Sequence, residues 1–226
     1  MLREVTSDLW VIETPFEFMG MDMGARMTIV RRGNGELFVY GPFAIMDEDE
    51  AAIRDKGEVR DIVAPNTAHF TEIGKFKKRF PDATLWALPE LDKKLEDVAH
   101  QNLEEAPESW KEDFDSELFD GPRGFREWVF CHRASKSLVV TDIGFQLPSP
   151  TTTINKIASK MNDVGEHFGP SRFERTLMKL GDMEKEKGHI ETILGWEFDR
   201  IIPGHGFVTD HDAKKQLHDA YLFLGV

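Results

Sequence analysis

Short apolar segments alternate with polar ones along the chain, and they predict strands in the N-terminal region. Residues 9–13 and 26–31 are short and rich in β-branched side chains, and residues 36–40 follow a Gly33-Asn34-Gly35 turn that is typical of a hairpin. Residues 47–56 are charged and contain alanines, which predicts a short helix. The chain is therefore expected to begin with strands followed by a helix.

The pattern then changes to strands that alternate with helices. Residues 60–64 predict an apolar strand and residues 84–88 another. Between them an amphipathic helix is predicted, with Thr71 as its N-cap and an apolar stripe at Ile73, Phe76 and Phe80. A strand, a helix and a strand in succession are typical of an α/β protein.

The C-terminal part gives further elements of both kinds. Residues 91–121 are acidic and interrupted by Pro107, so we predict helix and surface loop there. The other predicted elements are strands at 127–131, 137–141 and 198–202, and helices at 171–180, 182–194 and around Leu217, Tyr221 and Leu224. No repeat or linker interrupts this order, which favours a single domain over residues 1–226.

Three polar residues follow predicted strands directly. His69 lies between the strand at 60–64 and the next helix, Asp142 ends the strand at 137–141, and His205 follows the strand at 198–202. Ligands of α/β proteins bind at the carboxyl ends of strands, so these side chains are expected to converge. Histidine and carboxylate ligands suit zinc, manganese or iron.

The segments around these residues resemble the metallo-β-lactamase family. Residues 62–74 look like its His-x-His-x-Asp-His segment with most ligands replaced, and residues 138–142 are similar to its strand ending in the metal-bridging aspartate. Residues 201–206 resemble its closing Pro-Gly-His-Gly turn. The resemblance covers the whole chain in order. It implies an α/β fold, the αββα sandwich, with two stacked mixed sheets and helices outside.

An uncharacterised bacterial branch of this fold, a domain of unknown function, is still more similar. The resemblance lies in residues 25–30, 64–66, 128–138 and 168–172. It implies no substrate.

Aligning the chain with the family's motif on Ile73 and Gly74 shows which ligands remain. The first histidine of the motif falls on Thr67, the second on His69, the aspartate on Thr71 and the last histidine on Glu72. The resemblance then implies an incomplete metal site of His69, Asp142 and His205, with Glu72 as a further ligand. Such a set is expected to hold at most one zinc, manganese or iron ion, or no metal. The resemblance does not identify a catalytic residue.

His132 is not expected to join this site. One strand separates it from Asp142, and five residues at about 3.3 Å each put the two ends of that strand roughly 16 Å apart. Ligands of one zinc ion all lie within about 2.2 Å of it. His132 is therefore predicted to be a hairpin-turn residue.

Composition limits the partners. The net charge of −13 disfavours nucleic acid, and the cluster of Lys75, Lys77, Lys78 and Arg79 is interpreted as the solvated face of a helix. The sequence has no apolar segment long enough to span a bilayer, so a membrane partner is not expected. The single cysteine, Cys131, lies in an apolar strand and is predicted to be a core residue in a cytoplasmic protein.

Two functions remain open. The first is a hydrolase-like protein with an incomplete metal site that acts on a small-molecule substrate, in the way the family hydrolyses esters, amides and thioesters. The alternative is a non-catalytic protein that binds a small molecule in the same place without metal. For three of the ligands a structural role is also open: His69 as a hydrogen-bonding loop residue, Glu72 as a first-turn residue, and Asp142 as a strand cap.

Overall fold

The structure is a computed structural model that describes residues 1–18, 21–149 and 153–226. Backbone contacts divide it into two compact units, Met1–Glu13 with Arg26–Phe114 and Thr14–Ala25 with Asp115–Val226. The single domain stays a prediction, because this division does not test whether either unit folds alone. Within the described residues, none of the helices has the length and apolar character needed to cross a bilayer.

Thirteen strands and six α-helices occur among the described residues. The strands are β1 (Arg3–Thr6), β2 (Leu9–Thr14), β3 (Glu17–Phe18), β4 (Met21–Asp22), β5 (Ala25–Arg31), β6 (Leu37–Tyr40), β7 (Val59–Val63), β8 (Thr84–Ala87), β9 (Gln101–Asn102), β10 (Phe114–Asp120), β11 (Arg126–His132), β12 (Ser137–Val139) and β13 (Arg200–Ile202). The helices are α1 (Asp47–Lys56), α2 (Ile73–Arg79), α3 (Thr153–Asn162), α4 (Arg172–Leu180), α5 (Met183–Leu194) and α6 (Ala213–Tyr221).

The first unit contains a seven-stranded mixed sheet in the order β1-β2-β5-β6-β7-β8-β9. Strands β6, β7, β8 and β9 are parallel, whereas β1 pairs with β2 and β5 pairs with β6 in antiparallel fashion. Helix α2 buries Ile73 and Phe76 against this sheet's core, as its apolar spacing predicted. The carboxyl end of β7 leads into the loop that carries His69.

The start of α2 differs from the prediction. Its N-cap is Glu72 and not Thr71, because the carbonyl of Glu72 is the acceptor for the N–H of Phe76 in the first helical turn. Two basic residues of this helix form ion pairs: Lys75 with Glu72, and Arg79 with Asp47 and Glu50. The basic cluster is thus a charged helix face, as predicted.

The acidic segment 91–121 contains a strand that its sequence did not predict. Strand β10 carries carboxylates along most of its length, yet Phe114 and Phe119 are buried. The carboxylates have partners far away in sequence: Asp115 pairs with Arg133, Glu117 with His189, and Asp120 with Lys185. The local pattern did not indicate a strand because these partners come from tertiary structure. The prediction of helix and surface loop is wrong for residues 114–120.

The second unit contains a four-stranded sheet in the order β10-β11-β12-β13 and the small β3–β4 hairpin. Strands β11 and β12 are antiparallel, and β12 and β13 are parallel. Ser171 caps α4 in a capping box with Glu174. The core between this sheet and α4 to α6 includes Leu138, Ile190, Ile201, Leu217 and Tyr221.

Helix α5 buries a carboxylate without a complete set of partners. The side chain of Glu186 is only 1% exposed, and its Oε2 has no hydrogen-bond partner among the described atoms. Burial raises the pKa of Glu186 from its ordinary value of 4.5 to about 7, and the nearby charge of Asp182 adds to this. Glu186 therefore holds a proton in the folded state at a pH where the unfolded chain has released it.

Replacing Glu186 by glutamine is expected to flatten the pH dependence of stability. The folded state binds the extra proton between about pH 4.5 and 7, so the free energy of unfolding falls as the pH rises through this window. At pH 8 the E186Q variant should be about 1 to 3 kcal/mol more stable than the parent, because no unpaired charge is buried. Urea unfolding at pH 5 and pH 8 measures this.

The matched control is Glu184→Gln, an exposed carboxylate two residues earlier on the same helix. It should leave the pH slope unchanged. If the free energy of unfolding depends equally on pH in the parent and in E186Q, the titration of Glu186 does not cause that dependence. A reduced slope remains in E186Q because burial also raises the pKa of Glu174 to about 7.

Candidate metal site

His205 is the most constrained of the predicted site residues. It follows β13 in a Pro-Gly-His-Gly turn and is 5% exposed. Its Nδ1 lies 2.6 Å from the carbonyl oxygen of Gly24. A carbonyl only accepts, so Nδ1 carries the hydrogen, and Nε2 faces Asp142 with 3.5 Å between Nε2 and Oδ1.

The backbone on both sides of His205 is fixed by the second unit. Gly206 donates its N–H to the carbonyl of Met23 at 3.0 Å, and Phe207 donates to the carbonyl of Gln146 at 2.6 Å. The ring of Phe16 stacks on the imidazole with 5.5 Å between ring centroids. The imidazole therefore has one orientation, set by hydrogen bonds and by a stacked ring.

Asp142 reaches the same point from the neighbouring strand. Strand β12 pairs in parallel with β13, and Val140 continues this pairing by donating its N–H to the carbonyl of Ile202. The chain directly after β12 thus lies beside the chain directly after β13. The structure therefore brings Asp142 and His205 together, as the two predicted strand ends implied.

The buried carboxylate of Glu127 holds the backbone at Asp142 through hydrogen bonds. Its Oε1 accepts the N–H of Thr141 and its Oε2 accepts the N–H of Asp142, both at 2.7 Å. Glu127 is fully buried, and burial raises its pKa, with the charge of Asp142 as the next cause. Glu127 is not among the residues that the sequence predicted for this site. A carboxylate directly before the apolar residues 128–131 of strand β11 was the signal that could have found it.

The pair of Asp142 and His205 presents two possible metal-ligand atoms that face each other. With Nδ1 bonded to the carbonyl of Gly24, the imidazole turns Nε2 toward Oδ1 of Asp142, and imidazole nitrogens and carboxylate oxygens both bind divalent metal ions. Histidine ligands of metals typically donate their other N–H to a backbone carbonyl, as His205 does to Gly24. These residues therefore fit a divalent metal ion.

His69 and Glu72 belong to the first unit. His69 lies in the loop between β7 and α2, partly buried, and its N–H donates to Oδ1 of Asn66 at 2.9 Å. The N–H of Ala68 donates to the same oxygen, which forms an Asx-type turn around the buried Asn66. Glu72 is partly exposed and makes a salt bridge with Lys75, with 2.8 Å between Oε2 and Nζ.

His132 lies at the opposite end of β12 from Asp142. It is the last residue of β11 and pairs with Ser137, the first residue of β12. It is buried, and its Nδ1 contacts Oγ of Ser135 at 2.8 Å, so it closes the hairpin from within the strand. Cys131 beside it is a buried core residue, as predicted, and burial raises the pKa of its thiol to about 12.

Solved structures with the same fold cover almost the whole chain. A diflavin flavoprotein fragment from a Nostoc species is 12% identical with a TM-score of 0.67, over 99% of this chain and 95% of the other. DIM-1 metallo-β-lactamase exposed to ceftazidime is 15% identical with a TM-score of 0.65, over 99% and 96%. FIM-1 from Pseudomonas aeruginosa, in its mono-zinc form, is 11% identical with a TM-score of 0.61, over 100% and 96%.

These likenesses show the fold of the chain. It is the metallo-β-lactamase fold, which confirms the predicted α/β class and the family resemblance. No curated protein matches the chain. One family model matches residues 6–169, more than half of the 226 residues. The chain therefore belongs to the family described as the domain of unknown function DUF4336.

Proposed function

We propose that the protein is a metal-dependent hydrolase of the metallo-β-lactamase fold that holds one divalent ion through His69, Asp142 and His205. Each of these side chains offers one ligand atom, an imidazole nitrogen or a carboxylate oxygen. Two imidazoles and a carboxylate are a common ligand set of catalytic zinc, which keeps a further position open for water or substrate. Manganese or iron would accept the same donors.

The orientation of His205 carries this proposal. Its Nδ1–H is used by the carbonyl of Gly24, and its Nε2 faces Oδ1 of Asp142 at 3.5 Å. In tetrahedral coordination at about 2.0 to 2.2 Å, two ligand atoms of one ion lie roughly 3.4 Å apart. The separation of the two atoms suits an ion shared by both side chains.

The residues around the ion would have distinct tasks. A divalent ion lowers the pKa of bound water and polarises a carbonyl group, which is the chemistry that ester, amide or thioester hydrolysis needs. Glu127 fixes the backbone of Thr141 and Asp142, and the carbonyl of Gly24 keeps the hydrogen of His205 on Nδ1. These contacts orient the ligands before an ion binds.

We further propose that the protein holds at most one ion. Thr67 and Thr71 occupy two ligand positions of the family's motif, and neither hydroxyl replaces a histidine or an aspartate as a metal ligand. Glu72, the predicted fourth ligand, would first have to give up its salt bridge with Lys75. A mono-zinc form is named for FIM-1, a protein of the same fold.

The test is the metal content of purified protein. We expect close to one equivalent of zinc, manganese or iron per chain and less than about a tenth of that in the His205→Ala variant, because loss of a ligand typically weakens binding by orders of magnitude. His211→Ala is the matched control: His211 is exposed, and its side chain contacts only the neighbouring Asp210 among the interactions described. Elemental analysis is done on folded protein verified by circular dichroism.

Other results would contradict the proposal in different ways. Two equivalents in the parent protein would overturn the limit of one ion, and unchanged metal in H205A would show that His205 is not a ligand. A folded parent protein without metal would favour the non-catalytic binding protein instead. A small-molecule substrate, the absence of nucleic-acid partners and a cytoplasmic location stay predictions.

A further inference from the structure

Helix α4 presents an apolar stripe to solvent. Phe173, Leu177 and Leu180 recur at i, i+4 and i+7, so they lie within about 60° of one another around the helix. Phe173 is 62% exposed and Leu180 is 76% exposed, whereas Met178 is buried in the core of the second unit. Large apolar side chains that are exposed on one helix face indicate a surface that another apolar body covers.

Helix α3, which packs against α4, also exposes apolar side chains. Ile157 and Met161 are one helical turn apart, and both are exposed. Asp163, directly after α3, forms an ion pair with Arg175 of α4, so the two helices are held together within the second unit. We call the exposed apolar residues of both helices the α3–α4 surface: Ile157, Met161, Phe173 and Leu180.

Basic residues accompany this surface. By the same helical spacing, Arg172 and Lys179 lie beside the stripe of α4, on the side away from Met178. Glu174, the acidic residue of this helix, is partly buried and accepts the N–H of Ser171 in the capping box. Helices α3 and α4 together contain five Lys or Arg residues and one Glu, a charge of +4, whereas the other 23 basic and 40 acidic residues of the chain give −17.

An apolar stripe beside basic residues suits an anionic lipid surface. The apolar side chains of such a helix enter the boundary of the acyl chains, while Lys and Arg attract the negative headgroups. The headgroups repel the acidic remainder of the chain, so binding depends on the α3–α4 surface. A second copy of the chain is a poorer occupant, because a two-fold contact between identical surfaces would place like charges opposite each other.

We propose that the α3–α4 surface binds the surface of an anionic lipid bilayer, with α4 lying in the plane of the headgroups. The prediction that a membrane is not a partner rested on the length needed to span a bilayer, and no described helix has that length. A helix that lies in the interface needs only one apolar face. The inference goes beyond the proposed function and does not depend on it, because none of the candidate metal ligands lies in α3 or α4.

The experiment is co-sedimentation of the full chain with vesicles of phosphatidylcholine alone and with vesicles that also contain roughly 30% phosphatidylserine. We expect binding to the anionic vesicles to be at least about tenfold tighter, since each Lys or Arg near such a surface strengthens binding about fivefold. Raising the salt concentration from about 0.1 M to about 0.5 M should weaken this binding, because salt screens the attraction.

Two kinds of variant test the two parts of the surface. Phe173→Gln and Leu180→Gln, made singly, should each weaken binding to anionic vesicles about fivefold, because each removes an apolar side chain from the bilayer boundary. The matched control is Met46→Gln, which replaces an apolar residue of the first unit that is as exposed as Phe173, and it should have less than about a twofold effect. Circular dichroism verifies that each variant is folded.

The second kind of variant removes charge. Arg172→Gln combined with Lys179→Gln should weaken binding by roughly 25-fold, which corresponds to about fivefold for each residue. The matched control combines Lys78→Gln with Lys93→Gln, which removes the same charge from two exposed lysines of the first unit. It is expected to weaken binding by less than about threefold, because those lysines lie outside the α3–α4 surface.

Several outcomes would overturn the inference. Absence of measurable binding to the anionic vesicles would do so, and so would equal binding to both kinds of vesicle. Equal losses in the two double variants would assign the effect to net charge and not to this surface. Sedimentation equilibrium without lipid tests the other occupant: a dimer that dissociates in F173Q would show that a second copy covers the α3–α4 surface.

Discussion

Replacing Gly206 by alanine is expected to lower the free energy of unfolding by about 3 to 5 kcal/mol. Gly206 has φ of +79°, a left-handed conformation that costs a residue with a Cβ roughly 1 to 2 kcal/mol. A Cβ there would also lie 2.0 Å from the carbonyl oxygen of Gln146, which is backbone and cannot rotate away. The turn would have to move, and His205 with it.

Gly188→Ala is the matched control for this substitution. Gly188 is exposed within α5, and an added Cβ meets nothing within 4 Å. Alanine there should stabilise the protein by about 0.5 to 1 kcal/mol, because glycine is the weaker helix former. Urea unfolding of both variants provides the comparison. A loss below about 1 kcal/mol in G206A would show that the turn relaxes without cost.

Glu127→Ala is expected to lower the free energy of unfolding by about 2 to 5 kcal/mol. The substitution leaves the N–H groups of Thr141 and Asp142 without the acceptors they now have at 2.7 Å, and an unsatisfied buried donor costs about 1 to 3 kcal/mol. It also leaves a cavity in the space that the buried side chain of Glu127 now fills. Relief of the repulsion between Glu127 and Asp142 offsets part of this cost.

Two further variants make the result specific to Glu127. Glu127→Gln keeps one acceptor oxygen and presents an N–H₂ group to the other donor, so it should lose less, about 1 to 2 kcal/mol. Glu191→Ala removes an exposed carboxylate whose ion pair with Lys187 is 3.7 Å long, and it should change stability by less than about 0.5 kcal/mol. Similar losses in the alanine variants of Glu127 and Glu191 would contradict a bridging role for Glu127.

Both substitutions act on the supports of the proposed metal ligands and leave those side chains themselves in place. The turn at Gly206 aims the imidazole of His205, and Glu127 fixes the backbone that carries Asp142. Ligand affinity depends on such positioning because side chains that are already ordered lose little entropy on binding. A drop in metal content that parallels the loss of stability would therefore be expected in G206A and E127A.

Much of the fold could be predicted from local patterns. The apolar stripe of α2 and the strands on either side of Ser135 correspond to described elements, because their burial follows a pattern that is visible in the sequence. The helix at 47–56 was predicted from its charged residues and alanines, and it is also found. The ends of strands also placed Asp142 and His205 correctly, since parallel neighbours β12 and β13 end at the same edge. Family segments then predicted the fold class.

The sequence alone determined which residues carry ligand chemistry, which elements precede them and which ligands of the family's motif are missing. Tertiary structure decided the rest. Strand β10 forms because partners distant in sequence pair its carboxylates. Helix α3 was not predicted, although Ile154, Ile157 and Met161 have the same spacing as the apolar stripe of α2. The state of His205 depends on the carbonyl of Gly24, 181 residues away in the chain, and the role of Glu127 depends on backbone N–H groups 14 and 15 residues later. A backbone group has no sequence signature, so its hydrogen bonds to side chains become visible only when the chain is folded.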